Sequence, residues 1–125
     1  MRRYIFTLML LAVAGNASAE WEYFDYKDGS TIYFDKSKFK RSGNYVKVWF
    51  LFNEDKPSPI SGHSSVVSLF EYDCKEGRER VLQGSAHKGY MGQGAVVFST
   101  DVPEPWVYVA PNNFREPRLK FACKK

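Results

Sequence analysis

The sequence predicts a mainly β domain of the α+β class, in which an antiparallel sheet is accompanied by one short C-terminal helix. Three observations support this prediction. Residues 64–74 and 78–88 are rich in β-branched, aromatic and aliphatic side chains, and between them Gly77 can adopt the positive φ of a tight hairpin turn. Residues 45–53 alternate with the period of two that is typical of a strand. Residues 117–123 carry apolar side chains at helical spacing.

The first 19 residues have the features of a signal peptide. Two arginines near the start are followed by an apolar run at 5–15 and by three small residues that end at Ala19. The apolar run is too short to span a bilayer, and no second such run follows. We therefore expect residues 1–19 to be removed. Residues 20–125 are predicted to form one exported domain with no integral membrane segment.

The charge of the mature chain is close to balanced. Without the two arginines of the signal peptide, 16 basic side chains accompany 14 acidic ones. Domains that bind nucleic acid have a much stronger basic bias. We therefore expect no nucleic-acid partner.

The chain has two cysteines, Cys74 and Cys123. Both follow the expected cleavage site, and an even pair in an exported chain is most simply a disulfide. Closing a loop of about 50 residues would stabilise the fold by roughly 4 kcal/mol in the chain-entropy model. The pair lacks the Cys-x-x-Cys spacing of redox-active cysteines. We therefore predict a structural bond that tethers the C-terminal helix to the sheet.

The N-terminal half of the domain is predicted to alternate strands with turns. Residues 20–26 form a first strand, residues 27–30 a glycine-containing turn and residues 31–34 a short returning strand. Residues 35–40 are charged and interrupt the strand pattern. A second turn at Gly43 then leads into the strand at 45–53.

The strand at 45–53 has two partly apolar faces. One face would carry Val46, Val48, Phe50 and Phe52, and the other Tyr45, Lys47, Trp49 and Leu51. Because the second face is also half apolar, we expect cover on both sides, with one cover from the chain itself and the other from a partner. If Trp49 and Leu51 are exposed in the monomer, they are candidate interface residues, since large aromatic residues dominate binding energy at interfaces.

The segments around the hairpin continue this pattern. Residues 54–62 contain two prolines and are predicted to be a loop. After the hairpin, a glycine turn at 91–94 precedes a strand at 95–99, and residues 106–110 form an edge strand or an extended segment. The helix at 117–123 begins with a proline, which is tolerated at the first helical position because its missing N–H has no partner there.

Landmark residues along the mature chain resemble those of a known family. They are Trp21, residues 33–35, residues 41–43, the Val48-Trp49 pair, Ser65, residues 72–74, Arg80, Met91-Gly92-x-Gly94, Trp106, Pro111 and Cys123. In this order they resemble the surface-adhesin protein E family of exported Gram-negative proteins. The resemblance implies a bent antiparallel sheet of six strands, a C-terminal helix tied to its concave face by the two cysteines, and a homodimer.

The resemblance also implies a function, which is adhesion by binding host matrix or serum proteins. The family places basic contact residues in the hairpin, which assigns that role to Lys75, Arg78 and Arg80. These three residues lie among acidic neighbours. They are therefore either a contact patch for an acidic protein surface or a solvated, charge-balanced turn that discourages edge pairing.

We predict no catalytic site, metal site or cofactor. A metal at His63 or His87 would need further ligands such as Glu71 or Asp73, and surface histidines are the simpler interpretation. A serine triad would depend on one of these two histidines and lacks a Gly-x-Ser-x-Gly elbow. Glu71 and Asp73 share a strand face and are expected to meet cross-strand Arg or Lys residues.

Two functional hypotheses follow from these observations. The first is a non-enzymatic, adhesin-like protein-binding module at the cell surface. The second is a soluble periplasmic inhibitor or immunity-type protein that binds a periplasmic protein. No cysteine directly follows the expected cleavage site, so no thiol is available there for lipid attachment, which favours the second hypothesis.

Overall fold

A computed structural model describes residues 19–124, so the predicted signal peptide lies outside the described residues except for Ala19. The described elements are β1 (Trp21–Lys27), β2 (Ser30–Asp35), β3 (Lys40–Ser42), β4 (Tyr45–Glu54), β5 (Ser65–Asp73), β6 (Arg78–His87), β7 (Val96–Thr100), β8 (Val107–Tyr108) and α1 (Glu116–Lys124). None of the helices described in this range is long and apolar enough to cross a membrane.

The strands form one antiparallel sheet in the order β1-β2-β4-β5-β6-β7. This path confirms the prediction of about six strands, with the β5–β6 hairpin near its middle. Two short strands lie off the path, because β3 pairs with β4 and β8 pairs with β6. The sequence did not predict β3, which is highly polar. Its three residues are exposed, and they form a strand through backbone pairing rather than burial.

The hairpin turn between β5 and β6 has the predicted glycine conformation. Gly77 has a φ of +69°, and its N–H donates to the carbonyl oxygen of Asp73. The side chain of Asp73 accepts hydrogen bonds from the backbone N–H groups of Lys75 and Glu76. Asp73 therefore fixes the turn as well as ending β5.

One face of the sheet, which we call the helix face, packs against α1 and holds the core. Val46, Val48, Phe50, Phe70 and Tyr72 point to this face and are buried. This result confirms the alternation predicted for β4. Each fully buried apolar side chain of this size contributes about 1.5–3 kcal/mol relative to an exposed one.

An aromatic cluster joins α1 to the helix face. The ring of Phe121, on α1, lies 4.7 Å from Phe34, 4.9 Å from Phe24 and 5.6 Å from Phe39, measured between ring centroids. Tilted and edge-to-face pairs at such distances are favourable beyond their buried area. The helix is therefore held by side-chain packing as well as by covalent attachment.

The predicted disulfide is present. Cys74, just after β5, is bonded to Cys123, in the last turn of α1. The guanidinium of Arg41, on β3, donates to the carbonyl oxygen of Cys123. The C-terminal end of the helix is thus attached to the hairpin end of the sheet.

Candidate functional site

The second face of the sheet, which we call the open face, is the one that points away from α1. On β4 and β5 it carries the residues that alternate with the core, among them Trp49, Leu69 and Glu71. On β6 it carries Arg78 and Arg80, because these residues lie opposite Asp73 and Glu71 in the strand register. The predicted basic residues of β6 therefore belong to the open face.

Two cross-strand ion pairs occupy the hairpin end of this face. The Arg78 guanidinium lies 2.6 Å from the Asp73 carboxylate, and the Arg80 guanidinium lies 2.7 Å from the Glu71 carboxylate. Both carboxylates are largely buried, whereas both guanidiniums are about one-third exposed. The expectation that Glu71 and Asp73 would meet cross-strand arginines is confirmed.

The Arg78–Asp73 pair shifts the titration of both groups. The hydrogen bond from Arg78 is the main reason that the pKa of Asp73 lies below its usual value, and the backbone N–H groups of the turn add to this effect. The same hydrogen bond raises the pKa of Arg78. The turn therefore holds a fixed pair of opposite charges near neutral pH.

The ring of Trp106 stacks on the guanidinium groups of Arg78 and Arg80. The guanidinium carbons of Arg78 and Arg80 lie 4.8 Å and 4.4 Å from the centroid of the Trp106 ring, which is cation–π geometry. The Tyr45 ring lies 6.0 Å from the same indole. Trp106 reaches this position because β8, which follows it, pairs with the start of β6.

These contacts define what we call the hairpin-tip surface, formed by Tyr45, Lys75, Arg78, Trp106 and Tyr108. Tyr108 is 65% exposed and Tyr45 is 43% exposed. A depression of about 630 Å³ lies among them, lined by Asn44, Tyr45, Asp73, Lys75, Glu76, Arg78 and Tyr108. Of the three basic residues predicted for partner contact, Lys75 is exposed, whereas Arg78 and Arg80 are only about one-third exposed.

A buried polar network on the helix face supports this end of the sheet. Glu79 accepts a hydrogen bond of 2.9 Å from the Tyr72 hydroxyl and pairs with Arg118, on α1, at 3.3 Å. Its second oxygen lies 3.2 Å from Arg115, just before the helix. Burial, together with the negative charge of Glu79, raises the pKa of Tyr72 well above its usual value, so its hydroxyl stays protonated.

The two candidate interface residues on β4 differ in accessibility. Leu51 is fully buried, whereas Trp49 remains partly exposed. The loop that contains Gly92 covers Leu51, because a Cβ at Gly92 would lie 3.5 Å from Cδ1 of Leu51. The interface role required exposure in the monomer, so it does not apply to Leu51. The second cover of β4 was expected from a partner, but at Leu51 it comes from the chain itself.

The two histidines make local hydrogen bonds to serines. Nδ1 of His63 is bonded to the hydroxyl of Ser61, and Nε2 of His87 lies 2.8 Å from the hydroxyl of Ser85. Within residues 19–124, no group of three or more His, Cys, Asp or Glu side chains is arranged to hold a metal ion.

The sequence analysis predicted β7 but not its exposure. β7 is one end of the main strand path, and Val96, Val97 and Phe98 all lie in solvent. The strand carries no charged residue and no proline, which are the usual protections of an edge strand. The other end of the path, β1, contains three charged residues. This difference could have been found from the composition of the two strands.

Comparisons of the sequence and of the structure with known proteins point to the same family. A family model described as surface-adhesin protein E matches residues 21–124. A search of curated proteins gives no match. Crystal form II of Haemophilus influenzae protein E is similar in structure, with a TM-score of 0.61 and 15% identity over 86% of this chain and 97% of that one.

Further structures of the same Haemophilus protein agree. One has a TM-score of 0.59 and 15% identity over 80% of this chain and 87% of that one. Another, of protein E from non-typeable Haemophilus influenzae, has a TM-score of 0.56 and 13% identity over 86% of this chain and 76% of that one. At this level of identity the likeness establishes the fold.

Proposed function

The chain belongs to the surface-adhesin protein E family, and on this premise we propose that it is an exported, non-enzymatic module that binds a protein through the hairpin-tip surface. The proposed partners are host matrix or serum proteins, and the proposed location is therefore the cell surface. The second hypothesis, a soluble periplasmic inhibitor or immunity-type protein, predicts a bacterial partner for the same domain.

The observation that supports this proposal most strongly is the composition of the hairpin-tip surface. It combines two exposed tyrosines, a tryptophan and an arginine, which are the residue types that contribute most binding energy at protein interfaces. The free ammonium group of Lys75 and the outer edges of Arg78 and Arg80 favour an acidic partner surface.

The surface is also held in place before any partner binds. The ion pair of Arg78 with Asp73 and the stacking of Trp106 on Arg78 and Arg80 fix the side chains. The disulfide at Cys74 fixes the backbone next to the turn. Because less freedom is lost on association, a fixed surface binds more tightly than a mobile one with the same contacts.

The proposal is tested by affinity capture with immobilised mature domain from host serum, from solubilised matrix and from periplasmic extract. The test variant combines Tyr108→Ala with Lys75→Glu. The matched control combines Tyr23→Ala with Lys27→Glu, because these residues are exposed on β1, at the other end of the sheet. We expect the test variant to weaken binding about thirtyfold, as loss of one strong contact residue does, and the control to leave it unchanged.

Two results would change the proposal. Equal binding by the test variant and the control would remove the hairpin-tip surface as the contact. Specific capture from periplasmic extract, with none from serum or matrix, would favour the inhibitor or immunity hypothesis.

We also propose a homodimer that pairs through β7. The backbone groups on the outer side of an edge strand are unpaired, and here the apolar side chains of Val96, Val97 and Phe98 lie beside them. A second copy that adds its own β7 in antiparallel orientation would satisfy these groups with two-fold symmetry.

A further inference from the structure

A second cavity lies on the open face and shares no residue with the hairpin-tip surface. Its volume is about 380 Å³, and it is lined by Trp49, Gln83, Gly84, Ser85, Ser99, Thr100 and Asp101. These residues come from β4, from β6 and from the end of β7, except for Asp101, which directly follows β7. The volume is in the lower part of the range of roughly 300–1,000 Å³ that is typical of small-molecule sites.

Trp49 provides the apolar wall of this cavity. Its side chain is partly exposed, and within the described part of the chain its ring contacts no other aromatic ring and no cation. Its indole N–H also has no hydrogen-bond acceptor among residues 19–124. The ring and its N–H are therefore available to a ligand.

Three polar side chains of the lining also have hydrogen-bonding groups without a partner in the described part of the chain. The Gln83 amide, the Ser99 hydroxyl and the Asp101 carboxylate make no hydrogen bond to any other described residue. The neighbouring hydroxyls are engaged, because Ser85 is bonded to His87 and Thr100 accepts from the N–H of Val102. The free groups include both donors and acceptors, and they converge on a single cavity with an aromatic wall.

The charges of the lining argue against an anionic ligand. Asp101 is the one charged residue of the lining, and neither lysine nor arginine is present to attract a phosphate, sulfate or carboxylate. A bare cation would find a single carboxylate, which is too few ligands to hold a metal. An uncharged molecule with many hydroxyl groups and an apolar face satisfies both walls.

We propose that this cavity binds a neutral saccharide of one or two pyranose rings. The C–H groups on one face of a pyranose pack against the negative face of an indole. Adjacent hydroxyl groups of the sugar donate to the Asp101 carboxylate and exchange hydrogen bonds with the Gln83 amide. The proposal does not depend on protein binding at the hairpin-tip surface.

The test is nuclear magnetic resonance of the isotope-labelled mature domain. The probes are methyl glycosides of glucose, galactose, mannose and N-acetylglucosamine, together with lactose, maltose and chitobiose. We expect at least one neutral sugar to shift the indole resonance of Trp49 and the side-chain amide resonances of Gln83 in a saturable manner. The indole of Trp106, which belongs to the hairpin-tip surface, should not move.

Two substitutions assign the effect to the polar wall. Gln83→Ala and Asp101→Asn remove groups that have no partner in the described chain, so folding should be unaffected. Each should weaken binding about fivefold, which is the effect of about one hydrogen bond. The matched controls are Gln93→Ala and Asp28→Asn, because Gln93 and Asp28 are exposed and lie outside the lining of the cavity.

Three results would overturn the proposal. One is that no sugar shifts the Trp49 indole. Another is that the shifts persist with unchanged affinity in both Gln83→Ala and Asp101→Asn. The third is that glucuronate, an anionic sugar, binds more tightly than its neutral counterpart glucose.

Discussion

The guanidinium of Arg118, on α1, lies 3.3 Å from the carboxylate of Glu79, on β6, and both side chains are buried. Glu79 lies between Arg78 and Arg80 in the sequence but points to the opposite face of the sheet. This one strand therefore binds the helix through Glu79 and presents two arginines on the open face. Adjacent residues of β6 thus contribute to the hairpin-tip surface, through Arg78, and to the attachment of α1, through Glu79.

Loss of Arg118 should destabilise the fold more than loss of other basic residues of α1. Arg118→Ala leaves the buried Glu79 with Arg115 and Tyr72 as its remaining partners. We expect the free energy of unfolding to fall by about 2 kcal/mol, which is less than the 3–5 kcal/mol typical of a buried charge left with no partner. Urea denaturation followed by circular dichroism measures this change.

The matched control is Lys120→Ala, on the same helix. Lys120 is exposed and pairs with Glu116 at 3.8 Å, so its loss should cost less than about 1 kcal/mol. Similar small losses in both variants would show that the Arg118–Glu79 pair does not hold α1 on the sheet.

The disulfide should account for a large share of the stability. Replacing Cys74 and Cys123 together by serine removes the cross-link, and we expect the free energy of unfolding to fall by about 4 kcal/mol or less. Thermal unfolding with and without dithiothreitol checks the cause. The reductant should destabilise the natural chain and leave the double variant unaffected. An unchanged melting temperature of the natural chain after verified reduction would contradict this expectation.

Acid should destabilise the hairpin turn through Asp73. The pKa of Asp73 is lowered in the folded state, so its stabilising effect is complete above its ordinary pKa of 3.8 and is lost as the pH falls through the lowered value. In Asp73→Asn we expect lower stability at pH 7 and a smaller further loss between about pH 4 and pH 2. Urea denaturation at several pH values in this range gives the free energy of unfolding as a function of pH for the natural protein and for Asp73→Asn. The same dependence on pH in both proteins would show that Asp73 does not cause the loss of stability in acid.

The exposed β7 edge should control self-association. Phe98 is 63% exposed, and Phe98→Lys places a charge at the proposed contact between copies, where it would be desolvated. We expect sedimentation velocity to show dimers of the natural mature domain and monomers of this variant. Tyr23→Lys, on β1 at the opposite edge, is the control and should remain dimeric. Dimers that persist in Phe98→Lys, or a natural domain that is monomeric at all concentrations, would argue against pairing through β7.

Much of the fold could be predicted because local patterns determine it. The alternation in β4 identified the buried set Val46, Val48 and Phe50, and Gly77 identified the hairpin turn. The strand β3 was missed for a physical reason. Its residues are polar and exposed, so no hydrophobic pattern marks them, and they are ordered by pairing with β4.

The candidate sites were harder to predict because they depend on contacts between distant parts of the chain. The hairpin was correctly expected to carry arginines opposite acids, since such pairs follow from the strand register. The stacking of Trp106 on Arg78 and Arg80 joins segments that are more than twenty residues apart and has no local pattern. In the same way, the cover of Leu51 depends on where the loop at Gly92 folds back, which the alternation of β4 does not encode.

The most direct test of the account is site-specific photo-cross-linking at the hairpin-tip surface. The photoreactive residue benzoylphenylalanine replaces Tyr108 in one protein and Tyr23 in another, since both tyrosines are more than half exposed and lie on different strands. Each protein is illuminated in host serum and on host matrix. We predict a discrete adduct with a host protein from position 108 and none from position 23. No adduct from position 108, or the same adducts from both positions, would contradict the account.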